Sequence, residues 1–167
     1  MRLFIPLLLL ALLIPAIPSR AEELSGVAEV LTPDILRLNE INVRLAGMDG
    51  WQPGQTCPDT RNRPNPCGEE ALTFLRSAAQ QQMVYCAGFA RDSEGRRTAT
   101  CFQGGRDLGA LMVRNGWAIA TPRGASRYEA QEKIAREEKA GGWRGLPRYP
   151  PQAPDKWGVE QKMHKEQ

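Results

Sequence analysis

Asp34, Arg44, Asp49 and Arg96 are the residues of this sequence whose types and order could do chemistry together. Gathered at one end of a small sheet, the two carboxylates would offer hard oxygen ligands to a cation such as calcium. The two guanidiniums would offer forked donors to a phosphate. That set outlines a phosphodiester site. The cation and the arginines would offset charge building on a five-coordinate phosphorus, and a carboxylate would take the proton of an attacking water. Each residue also has a plainer reading. Asp34 follows Thr32-Pro33 and suits a turn, and Arg96 follows Glu94-Gly95 as a hairpin arginine in solvent. Arg44, between Val43 and Leu45, needs a partner if it is buried, and Asp49 could be no more than that partner. The chemical reading rests on the set, not on any member.

Composition narrows the alternatives. The single histidine, His164, lies near the C-terminus, which leaves no Ser-His-Asp or Cys-His nucleophile, no His-rich zinc site and no histidine base. A length of 167 residues fits one domain. The net charge of +3 shrinks to near neutrality once Arg2 and Arg20 are set aside with an N-terminal leader. Phosphate binding therefore has to come from locally placed arginines, not from a wholly basic surface.

The elements that must position these residues are short. Apolar and polar residues nearly alternate through 26–31, 34–38 and 41–45, which reads as three hairpin-connected strands. Residues 49–67 carry four prolines and two glycines and read as a long ordered loop. A helix is expected over about 68–81, with Glu69 and Glu70 in its first turn. A second hairpin over roughly 83–102 precedes a short helix capped by Asp107 and closed by Asn115-Gly116. Residues 117–120 read as a strand. Ser126 and Glu129 form a capping box that opens a helix ending at Gly141-Gly142. Trp117 and Trp143 are expected in the core, and Trp51, beside Asp49, over the mouth of the site. The architecture this suggests is mainly β with helices (α+β): a five-stranded Greek-key barrel of the oligonucleotide/oligosaccharide-binding (OB) type with about three helices.

Residues 1–21 have the pattern of an export signal: Arg2, an apolar run from Leu3 to Pro18, then Ser19-Arg20-Ala21 before a cut. The run is shorter than the about 20 apolar residues that span a bilayer, and prolines interrupt it. The expected organisation is a leader, a domain over 22–143 and a Pro-rich, charged tail over 144–167. The expected location is periplasmic or secreted, with no membrane attachment after cleavage. In such a compartment four cysteines point to disulfides. A hairpin centred between Ser93 and Glu94 sets Cys86 opposite Cys101. Cys57 and Cys67 would close the proline-rich loop between them.

The order of these pieces resembles the staphylococcal nuclease (thermonuclease) family. The resemblance runs from about Gly26 to Trp143. It is carried by Val30–Leu38, Val43-Arg44-Leu45-Ala46-Gly47-Met48-Asp49, Cys67-Gly68-Glu69-Glu70-Ala71, Asp92-Ser93-Glu94-Gly95-Arg96, and Leu111–Ala118. It implies the barrel fold and, for active members, calcium-dependent hydrolysis of DNA and RNA. By resemblance, Asp34 and Asp49 match the metal-binding aspartates, and Arg44 and Arg96 the phosphate-binding arginines. The general-base glutamate falls on Gln52, whose amide cannot accept a proton at neutral pH. Thr32 stands for the first acidic residue of the metal turn, and Ile35 and Gly50 stand for threonines. Thr121-Pro122-Arg123-Gly124 carries no ring where the family stacks a base. Asp59, Glu69 and Glu94 are the nearest spare carboxylates for a relocated base. Two functions follow: an exported phosphodiesterase with a weakened base, or a catalytically silent barrel that binds an anionic ligand or a protein. Nucleic acid is the candidate partner, calcium the candidate cofactor, and a monomer the expected state; the sequence identifies no protein partner.

Overall fold

The computed structural model describes residues 22–121 and 125–145. The leader, residues 122–124, most of the tail, Trp157 and His164 lie outside the described residues, as does the side chain of Ser126. In chain order the elements are β1 (Glu23–Val27), β2 (Glu29–Thr32), β3 (Ile35–Leu38), β4 (Ile41–Leu45), β5 (Met48–Gly50), β6 (Cys57–Pro58) and β7 (Pro64–Asn65), then α1 (Cys67–Ala79). There follow β8 (Met83–Arg91), β9 (Arg97–Gln103), β10 (Arg106–Asp107), α2 (Leu108–Arg114), β11 (Ala118–Ala120), α3 (Ala125–Glu137) and a 3-10 turn, Gly141–Arg144.

The main sheet runs β1-β8-β9-β4-β3-β2, with β10 added to β9. Its pairs are antiparallel except β4 with β9. Period-two alternation shows directly in burial: Leu36, Leu38, Val43 and Leu45 of β3 and β4 point inward, as do Val84 and Cys86 of β8. Ala71, Leu72, Leu75 and Ala79 of α1 and Met112 and Val113 of α2 complete the core. The described residues form an α+β fold with three helices, and among them the OB-type barrel is not closed.

The open seam has a local cause. β1 and β2, at opposite edges of the sheet, are separated in sequence by Ala28 alone, yet they share no ladder. The segment after α1 spans the gap instead. Ala28 N–H donates to the Gln82 carbonyl at 2.9 Å, its carbonyl accepts from Gln81 N–H at 2.9 Å, and Val30 N–H donates to Gln80 Oε1 at 2.8 Å. The first strand of the sequence reading is therefore two strands broken at Ala28, each with its own partner.

Both expected disulfides are present, with Cα–Cα separations of 5.6 Å for Cys57–Cys67 and 4.1 Å for Cys86–Cys101. The hairpin is centred on Glu94, since Arg91 pairs with Arg97, and not between Ser93 and Glu94. A bulge between Ala87 and Ala90, where Gly88 takes a φ of 70°, restores the register that sets Cys86 against Cys101. Residues 49–67 are also less loop-like than their prolines suggest. β5 pairs with β11, β6 pairs with β7, and the Cys57–Cys67 bond ties the segment to the start of α1. Asp107 caps α2 as expected, accepting from Ala110 N–H at 3.1 Å. α3 stops at Glu137, short of the expected Gly141-Gly142. No helix among the described residues is long and apolar enough to cross a membrane.

Candidate active site

Asp34 sits in the turn between β2 and β3, where the Thr32 hydroxyl donates to its Oδ1 at 2.7 Å. Its backbone carbonyl accepts from Leu45 N–H at 2.8 Å, which fixes the turn to the end of β4. The β3–β4 register pairs Ile35 with Arg44 and so brings Arg44 alongside Asp34. The chain then reverses through Gly47, at a φ of 79°, and β5 returns Asp49 to the same place, paired with Ile119 of β11. Local turns and one hairpin register thus bring three of the four residues together.

One nitrogen collects both carboxylates. Arg44 Nη2 lies 2.7 Å from Asp34 Oδ2 and 2.5 Å from Asp49 Oδ1. All three side chains are largely buried, with 16 % of Arg44, 5 % of Asp34 and 11 % of Asp49 exposed. Arg96 arrives through Asp92. Asp92 Oδ2 accepts from Arg96 Nε at 2.6 Å and lies 3.9 Å from Arg44 Nη1. Asp92 Oδ1 accepts the backbone N–H groups of Glu94 and Arg96, each at 2.9 Å, which folds the 92–96 turn. Glu94, mostly exposed, pairs with Arg96 Nη2 at 3.0 Å from outside.

Asp34, Arg44, Asp49 and Arg96 therefore form one continuous cluster, joined by a fifth residue, Asp92, which the sequence does not single out. Charge organises it. Burial opposes ionisation of Asp92, but hydrogen bonds from the Arg96 side chain and from the Arg96 and Glu94 backbones hold its pKa below the ordinary carboxylate value. Burial likewise opposes charge on Arg96, yet Asp92, then Glu94 and Asp34, raise its pKa.

Gln52 follows β5 and is held firmly. Its Nε2 donates to the Gly50 carbonyl at 2.8 Å, its N–H to Gln55 Oε1 at 3.0 Å, and its carbonyl accepts from Gln55 N–H at 2.9 Å. A Cβ on Gly68, at the start of α1, would stand 1.8 Å from that carbonyl oxygen, so Gly68 is what lets the helix approach. Trp51 does not cover the mouth of the site. It is fully buried, donates from Nε1 to the Gly116 carbonyl at 2.7 Å and meets Trp143 edge-on at 5.5 Å. Trp117 and Trp143 pack against the core, partly buried. Of the spare carboxylates, Asp59 accepts from the Arg61 and Arg63 backbones and from the Arg63 guanidinium, which makes it a turn anchor. Glu69 Oε1 accepts from Gly54 N–H at 3.3 Å, and Glu94 belongs to the Arg96 pair.

A cation fits this donor set in part. Asp34 Oδ2 and Asp49 Oδ1 both touch one nitrogen, so they are close enough to share an ion whose oxygen ligands lie at about 2.3–2.6 Å. Among the described residues no group of three or more His, Cys, Asp or Glu side chains is placed to hold a metal. Water and substrate oxygens would complete the shell.

Comparison with known proteins shows the family. The family model described as staphylococcal nuclease homologue matches residues 42–145, from within β4 to just past the 3-10 turn. Asp34 precedes the matched stretch. A probable endonuclease, LCL3 of Schizophyllum commune (strain H4-8 / FGSC 9210), is 30% identical over 130 residues. That alignment covers 65% of this chain and 42% of the relative, so the chain spans about two-fifths of that protein's length. The family match takes in Arg44, Asp49, Gln52, Asp92 and Arg96, and with it the chain belongs to the staphylococcal nuclease homologue family.

Proposed function

We propose that this chain is a nucleic-acid phosphodiesterase whose Arg44 and Arg96 hold the phosphate, whose Asp34 and Asp49 hold a calcium ion, and whose proton transfer is slowed by Gln52. The observation that carries the reading is the meeting of Asp34 and Asp49 on one nitrogen of Arg44, with Asp92 joining that arginine to Arg96. Three largely buried carboxylates outnumber two guanidiniums, so the cluster by itself repels a polyanion. A divalent cation reverses that sign and supplies the positive charge that stabilises the phosphorane-like transition state. Arg44, fixed and desolvated, suits an equatorial phosphate oxygen, whereas Arg96, more exposed, can follow the substrate.

Gln52 can orient a water through its amide but cannot take its proton, which lowers the rate by roughly 100-fold to 10,000-fold relative to a positioned carboxylate. A second reading, a silent module that binds phosphodiesters without cutting them, is favoured by the bond that commits Gln52 Nε2 to Gly50. The two disulfides suit an oxidising compartment and support a working location outside the cytoplasm as part of this proposal.

The test is cleavage of single-stranded DNA in calcium by the chain lacking residues 1–21. Slow cleavage is expected, faster in Gln52→Glu and abolished in Arg44→Ala. Binding without cleavage in both wild type and Gln52→Glu would favour the silent module. Cleavage undiminished in Arg44→Ala would overturn both readings.

A further inference from the structure

Asp92 has no part in the proposed ion site and yet touches both arginines. Its two oxygens do different work. Oδ1 accepts two backbone N–H groups and builds the turn, and Oδ2 receives Arg96 Nε at 2.6 Å beside Arg44 Nη1 at 3.9 Å. With only 15 % of its side chain exposed, Asp92 is a fixed point. Arg96, 39 % exposed, would otherwise sample many rotamers from the tip of a hairpin. Anchoring through Nε leaves the outer guanidinium nitrogens to other partners, and among the described residues an exposed glutamate, Glu94, competes for Nη2. The same Asp92 oxygen ties that guanidinium to Arg44, which Asp34 and Asp49 already hold.

We propose that Asp92 is a positioning residue of the phosphate site: it sets Arg96 beside Arg44 so that one phosphodiester can meet both guanidiniums. This rests on the reading of Arg44 and Arg96 as phosphate donors. It extends that reading by giving the shared approach of the two arginines to Asp92 a role in the site. Asp92→Asn keeps an amide oxygen for the turn and loses the anionic acceptor for Arg96. Asp92→Ser keeps a weaker turn acceptor and loses the arm altogether.

The experiment measures binding of a cleavage-resistant phosphorothioate oligothymidylate in calcium, with thermal melting of each variant alongside. Asp92→Asn should weaken binding about tenfold, the scale of one charge-assisted hydrogen bond. In an Arg96→Ala background the same change should weaken it no further, because Asp92 acts through Arg96. If Asp92→Asn does not fold, Asp92→Ser takes its place in the same cycle. Binding unchanged by either substitution, or a loss equally large with and without Arg96, overturns the inference and leaves the arginine site standing. Wild-type binding that ignores Arg44→Ala defeats the functional reading and, with it, this inference.

Discussion

Arg44 holds two duties that conflict, and its variants separate them. As the counter-charge of Asp34 and Asp49 it stabilises the fold; as a phosphate donor it must offer nitrogen to a ligand. Arg44→Ala leaves two largely buried carboxylates facing each other, a change expected to cost about 3–5 kcal/mol in urea unfolding without calcium. Calcium should restore more stability to Arg44→Ala than it adds to the wild type, because the ion then replaces a missing positive charge. Equal calcium effects on the two proteins would argue against an ion at Asp34 and Asp49. Four of the five clustered residues were legible in the sequence as a set, through their order and the family resemblance, since each taken alone also reads as a turn residue, a solvent arginine or an ion-pair partner. Asp92 was not. Asp-Ser-Glu-Gly reads as a turn, and only the folded hairpin shows that its second oxygen reaches two arginines.

At the scale of elements, the site depends on close approaches that single atoms decide. Gly68→Ala would drive a methyl into the backbone carbonyl of Gln52. We expect a loss of about 1–3 kcal/mol, the usual cost of overpacking, together with a displaced Gln52 segment visible as faster amide exchange over 52–55. Unchanged melting would show that the helix start yields freely. Removing Cys86 and Cys101 together opens a crosslink with a sequence separation of 15 and should cost about 3 kcal/mol by thermal or denaturant unfolding. Alternation made β3 and β4 readable, and facing positions made the Cys86–Cys101 pair readable. β5 escaped notice because Met-Asp-Gly is too short to alternate and its partner, β11, lies about seventy residues on. The hairpin bulge escaped too, because a glycine inside a strand does not say how the register will shift.

For the whole molecule, acid should act through carboxylates whose pKa values are held low in the fold. Asp59 is lowered to about 2, first by the Arg63 backbone N–H and against some desolvation, then by the Arg63 side chain and the Arg61 backbone. Asp92 is lowered by Arg96 and Glu94 against burial. A carboxylate whose pKa falls on folding stabilises the native state fully above its unfolded value, near 3.9, and loses that contribution as pH drops through the folded value. Stability should therefore decline between about pH 4 and pH 2, and Asp59→Asn should flatten that decline. An identical acid profile in Asp59→Asn would remove Asp59 from the account. The most direct measurement of the central claim is the affinity of the cleavage-resistant oligothymidylate, at fixed ionic strength, titrated with calcium and then with a chelator. Binding that appears with calcium, reverses on chelation and disappears in Arg44→Ala is the predicted result; equal affinity with and without calcium would contradict it.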